Sequence, residues 1–271
     1  MSHPLEGPHL KLTLANEALD GLETEISVAM DAKPYRLVVE PNRQSGEQVV
    51  RVKIDTPPPL RWTGIAANNV AGNLRAALDQ LVFQLAIANG HDPERYRTQF
   101  PIFERRDDYF QGRGKGRSWR DSMLRGVSYE NRARIDALQP FAGDPVESHP
   151  LAQLRQLTDQ DKHRLTPPVF AVWDGASAWF SYPGMDADLG SAAIGVNLEP
   201  SKPWVMKDDH EVFRITISTR PNPTAYFDPK TPLRVAFGEG LLALTDFRAI
   251  AEFVENVIVG FEPVFGPSPG A

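Results

Sequence analysis

The run Asp161-Lys162-His163-Arg164 brings a carboxylate, an imidazole and two cations together within four residues. An imidazole tuned by a carboxylate is the usual general base near neutral pH. A guanidinium beside an ammonium is a natural clamp for phosphate oxygens. His163 stands four residues after Asp159, a helical spacing that lets the carboxylate tune the ring, although the same spacing also makes a plain solvated ion pair. Asp161 raises a sharper question. On a helix over 149–165, turning about 100° per residue, it falls in the middle of the arc formed by Leu151, Leu154, Leu157 and Leu165. A carboxylate on an apolar stripe must be paired or neutral, because an isolated buried charge is strongly disfavoured.

Its partner is expected on a helix over 64–89. There Asn69, Asn73 and Gln80 share a narrow face on the flank of an apolar stripe, with Arg75, Asp79 and Asn68 further round. Amides on the flank of a central helix need hydrogen-bond partners of their own. Two readings follow. Asp161, Asn69, Asn73, Arg75, Asp79, Lys162 and Arg164 line a ligand site with His163 as its base, or Asp161 pairs with Arg75 or caps a helix purely to fix packing. In the second reading Lys162, His163 and Arg164 fill the last turn of a helix, where cations favour the dipole.

A second concentration of charge lies between Arg105 and Arg134. Nine cations (Arg105, Arg106, Arg113, Lys115, Arg117, Arg120, Arg125, Arg132 and Arg134) face four anions (Asp107, Asp108, Asp121 and Glu130), in a chain whose net charge is −6. Arg113, Lys115, Arg117 and Arg120 read as an arm for a nucleic-acid backbone, or as an ordinary solvated loop. The chain as a whole is too acidic to bind nucleic acid or anionic membrane generally. The sequence QGRGKGRS over 111–118 lacks the spacing of a phosphate-binding loop, and there is no GxSxG elbow or HExxH helix. Asp186-Ala-Asp188 is a common triplet, His210-Glu211 lacks a second histidine, and no two histidines are near neighbours, so neither a metal nor a cofactor is expected.

Positioning these residues requires a sizeable core, and 271 residues with 41% hydrophobic content suffice without staples. The absence of cysteine excludes disulfides, thiol nucleophiles and cysteine-bound metals. The opening MSHPLEGPHL has no basic flank before an apolar run, and no apolar stretch approaches the ~18 residues of a membrane helix, so a cytoplasmic protein without membrane contact is expected.

Apolar spacing predicts helices over 9–30, 64–89, 128–139, 149–165 and 241–260, with Asn89-Gly90 stopping the second and Pro150 opening the fourth. Strands are expected over 35–40 and 48–55, then over 169–173, 178–182, 192–198, 212–218 and 233–237. Asp174-Gly175 marks a hairpin. Residues 91–127 are the least regular, with Gln99–Phe103 as a short edge strand. Helices first, strands next and a last helix give an α+β fold: an N-terminal helical bundle with a small β-hairpin, then an antiparallel sheet and a C-terminal helix. One compact domain is expected, with possible sub-lobes 1–167 and 168–271.

Four stretches then stand out together: Asn73-Leu-Arg-Ala-Ala-Leu-Asp79-Gln-Leu-Val82, Phe100-Pro-Ile-Phe103, Leu138-Gln-Pro-Phe141, and Leu154 through Asp161-Lys-His-Arg164. Their order resembles a widespread bacterial family of uncharacterised proteins, whose pattern runs roughly LRxALDxL, FPI, LQPF/Y and DKHR. The resemblance covers about residues 60–170 and implies no activity. Gln80 stands where that pattern has histidine, and Asp159 where it has asparagine. A more distant resemblance is to the HEPN superfamily of helical bundles, many of them RNases. In those an arginine and a histidine lie four to six residues apart, whereas Arg155 and His163 here are separated by seven. The residues thus lead to a non-catalytic ligand-binding or interaction protein, to an enzyme or toxin acting on RNA or a nucleotide, or to an assembly protein.

Overall fold

The computed structural model describes residues 3–42, 47–57, 62–95, 98–111, 118–161, 168–172, 176–181, 196–198, 204–216, 226–230, 233–238 and 241–266. The fold is α+β, and the chain divides into two units. The helical unit comprises residues 1–24, 62–166 and 238–271, and the strand-rich unit comprises 25–61 and 167–237. The contiguous sub-lobes 1–167 and 168–271 do not follow this division, because the early hairpin pairs with a strand from beyond residue 200.

The helical unit contains most of helix α1 (Glu6–Asp31), then α2 (Trp62–Ala88), α6 (Pro150–Asp161) and α7 (Leu244–Phe261), with three short helices between: α3 (Arg106–Gln111), α4 (Trp119–Met123) and α5 (Tyr129–Ala137). Helices α2, α6 and α7 pack on one another. The core lies where the apolar spacing puts it: Leu12, Ala15, Leu19 and Leu22 on α1, Val70, Leu74, Leu78, Leu81 and Leu85 on α2, and Phe247, Ile250, Val254 and Ile258 on α7 are buried. Helix α2 stops at Gly90, whose φ of 76° suits glycine. There the Gly90 N–H donates to Ile87 O and the His91 N–H to Ala86 O, which satisfies the last carbonyls.

The irregular stretch contains more order than its composition suggests. Ser118 and Ser128 each cap a short helix, accepting from the backbone N–H of Asp121 and Asn131. Residues 98–103 form no helix or strand, so the expected edge strand is not made. The Gln99 N–H donates to Met123 O, and the residues after it meet side chains.

In the strand-rich unit, β1 (Tyr35–Asn42) and β2 (Glu47–Ile54) form the expected hairpin, in the register Tyr35↔Ile54. Strand β2 also pairs with β7 (Glu211–Thr216). Val50 and Val52, two residues apart on β2, are fully buried, as a strand with one covered face requires. A second sheet places β3 (Pro168–Val172) between β6 (Trp204–Val205) and β9 (Leu233–Phe237). A third places β4 (Ala176–Ser181) between β5 (Val196–Leu198) and β8 (Tyr226–Lys230). All described pairings are antiparallel. Among the described residues the strands thus form three three-stranded antiparallel sheets, in keeping with the expected α+β fold. Strands β3 and β4 do not form the expected hairpin with each other, because each is flanked by distant partners. Asp174-Gly175 itself lies outside the described residues.

Candidate functional site

Helix α6 ends at Asp161. The side chain of Asp161 lies outside the described residues, as do Lys162, His163 and Arg164. Of their expected counterparts on α2, Arg75, Asp79 and Asn73 have partners among the described residues.

Arg75 and Asp79 lie one turn apart on α2 and form an ion pair, with Arg75 Nε 3.2 Å from Asp79 Oδ2. Both reach the same residue of the segment 98–103. Asp79 Oδ1 accepts the Phe100 N–H at 2.8 Å, and Arg75 Nη2 donates to Phe100 O at 2.6 Å. The pair thus supplies Phe100 with the donor and acceptor that a neighbouring strand would otherwise provide. Gln139, fully buried, continues the pattern: its Oε1 accepts the Phe103 N–H at 3.1 Å and its Nε2 donates to Pro101 O at 2.9 Å. Arg155 of α6 donates to Ile102 O at 3.1 Å and lies 5.7 Å from the Phe103 ring centre. The stretches containing Arg75 and Asp79, Phe100 to Phe103, and Gln139 are therefore joined by direct bonds into one clamp around a backbone segment.

The other amides of α2 are turned to different tasks. Asn73 Oδ1 accepts from Lys11 Nζ of α1 at 3.3 Å, and its Nδ2 donates to Asn69 O. The Asn69 side chain is exposed, whereas Asn68 is buried. Gln80 Oε1 is buried and meets no hydrogen-bond partner among the described residues. A Cβ on Gly7 would stand only 2.7 Å from it.

Of the four expected arm residues, Arg113, Lys115 and Arg117 lie outside the described residues. Arg120 folds inward. Its Nε and Nη2 donate to Asp136 at 2.8 and 2.6 Å, a two-pronged ion pair, and Asp136 Oδ1 also accepts from Tyr109 at 2.7 Å. The bonds to Asp136 raise the Arg120 pKa and keep the guanidinium charged. Burial, reinforced by the bond to Asp136, pushes the Tyr109 phenol far above its ordinary value, so it stays neutral. Phe103, Phe110 and Phe141 surround the Tyr109 ring at 4.9 to 5.5 Å. Arg132 completes the corner: Nη1 donates to Asp121 Oδ1 at 3.2 Å and Nε to Val127 O at 2.9 Å.

Two aromatic residues sit on this braced corner and remain accessible. Trp119 and Tyr129 open α4 and α5, and they are 40% and 83% exposed. Sequence reasoning passed over both. It also passed over Tyr109 and Asp136, and it gave Gln139, within Leu138-Gln-Pro-Phe141, no role of its own. The traces that could have found them are the two serine caps, which start helices on Trp119 and Tyr129, and the polar Gln139 beside Pro140 in an otherwise apolar stretch. Among the described residues no group of three or more histidine or acidic side chains converges to hold a metal ion. A scan against protein-family models finds no match to this chain, and neither curated proteins nor solved structures give one.

Proposed function

We propose that this chain is a binding protein that works through contact rather than through proton transfer at α2, and that its contact surface is the α4–α5 corner. The observation that supports this reading is the exposure of Trp119 and Tyr129 on helices held together by Arg120–Asp136 and Arg132–Asp121. Accessible aromatics on a rigid support make large contacts with little loss of side-chain freedom. Arg75 and Asp79 fit the same reading, since their charged atoms already serve the Phe100 backbone.

A second reading takes RNA or a nucleotide as the partner, with Asp161, Lys162, His163 and Arg164 as its chemistry. It draws support from the same aromatics, because Trp119 and Tyr129 lie within the cation-rich stretch and aromatic rings are stacking platforms for bases. One experiment addresses both. A photo-crosslinking amino acid is placed at position 129 and, as a control, at exposed position 25 on α1, and each is irradiated in the cells that make the protein. Discrete adducts from position 129 that are absent from 25 are expected, removable by protease under the first reading and by nuclease under the second. Identical patterns from both positions, or no adduct from 129, would remove the contact surface.

A further inference from the structure

The tetrapeptide Ser-His-Pro-Leu occurs twice, at 2–5 just before α1 and at 148–151 across the start of α6. Both histidines make the same side-chain bond. His3 Nδ1 accepts the backbone N–H of Leu5, and His149 Nδ1 accepts the backbone N–H of Leu151, each at 3.2 Å. The histidine carbonyls also accept from the first turn, from Glu6 N–H in α1 and Gln153 N–H in α6. Proline fills the position whose N–H would have no partner. An imidazole thus does what serine or aspartate does at an ordinary helix start, with one difference: it can be protonated near neutral pH.

Accepting at Nδ1 requires that nitrogen to carry no proton, so both neutral rings hold theirs on Nε2. The ring of His149 packs edge-on against Phe253 of α7, with centres 5.2 Å apart, and its Cδ2 lies where a Cβ on Gly143 would come within 3.1 Å. The charged residues on the surrounding elements are Asp144 and Glu147 before it, Arg155, Asp159 and Asp161 further along α6, and Asp246, Arg248, Glu252 and Glu255 on α7; Asp144, Glu147 and Glu252 are exposed. Burial is what moves the ring's pKa, and it moves it below the ordinary 6.5. At His3, Nε2 is buried and meets no hydrogen-bond partner among the described residues.

We propose that His149 is a proton-operated cap: a proton taken up at Nδ1 displaces the Leu151 amide, puts a cation at the positive end of α6 and opens its first turn. The direction of the pH effect follows from the burial of the neutral ring. The folded ring resists protonation more than the unfolded one, so the cap's contribution is complete above pH 6.5. It is lost as pH falls from there through the lower folded value, and below that value the loss stops growing.

Amide hydrogen exchange on the wild-type chain tests this between pH 7.5 and 5. Protection at Leu151 should fall by up to about tenfold per pH unit within that window, the limit for one linked proton, together with a carbon chemical-shift titration of the His149 ring centred below 6.5. The variant His149→Asn keeps a side-chain acceptor that does not titrate, so its melting temperature should fall less than the wild type's as pH drops. Constant protection at Leu151, a His149 midpoint at or above 6.5, or melting temperatures that fall in parallel would each overturn the proposal. The two wild-type measurements decide it even if the variant fails to fold.

Discussion

The clamp around residues 98–103 and the β1–β2–β7 sheet solve one problem in opposite ways. Each holds a stretch of backbone whose polar groups must find partners. In the sheet, backbone answers backbone along the ladder from Tyr35↔Ile54 to Asn42↔Glu47. In the clamp, Phe100, Pro101, Ile102 and Phe103 are answered by Asp79, Arg75, Gln139 and Arg155. Stability therefore depends on residue identity in one region and on strand geometry in the other. The comparison also accounts for charged and amide side chains at the core's edge without assigning them a substrate.

Substitutions graded by effect can break or sharpen this contrast. The largest loss is expected from Asp136→Ala, which strands the Arg120 charge and the Tyr109 hydroxyl together. Removing one partner of a largely buried pair costs about 3 kcal/mol, readable as a lower denaturant midpoint, and Asp136→Asn should cost less because Tyr109 keeps an acceptor. Gln139→Ala leaves the Phe103 N–H and Pro101 O unanswered, and a loss of about 2 kcal/mol is expected in the same measurement. In the sheet, Arg36→Ala removes the exposed pair with Asp55, and thermal melting should register no more than about 0.5 kcal/mol. Equal losses from Gln139→Ala and Arg36→Ala would erase the distinction between the two regions.

What the sequence made legible follows the reach of its signals. Apolar spacing at three and four residues placed the buried faces of α1, α2 and α7, and the turn residues after Asn42 placed the β1–β2 hairpin. These are local properties. The need for partners along α2 was also legible, since Arg75 and Asp79 are polar residues beside an apolar stripe. Their actual partner was not, because a side chain bonding to a backbone more than 20 residues away leaves no periodic trace. The same limit misassigned β3 and β4. Asp174-Gly175 is a strong local turn signal, but β3 pairs with β9, from Pro168↔Phe237 to Val172↔Leu233, and nothing near residue 170 announces that partner. Of the arc Leu151, Leu154, Leu157 and Leu165, the first three are buried, while Leu165 and the Asp161 side chain lie outside the described residues.

The division of the chain into interleaved pieces has a consequence for its biosynthesis. Helix α7 supplies Phe247, Ile250, Val254 and Ile258 to the helical unit, yet it is translated after every segment of the strand-rich unit. When the strands have been made, the faces of α2 and α6 that pack on α7 still lack that partner. That nascent surface stays exposed until the closing helix emerges, so chaperone engagement should concentrate in that interval.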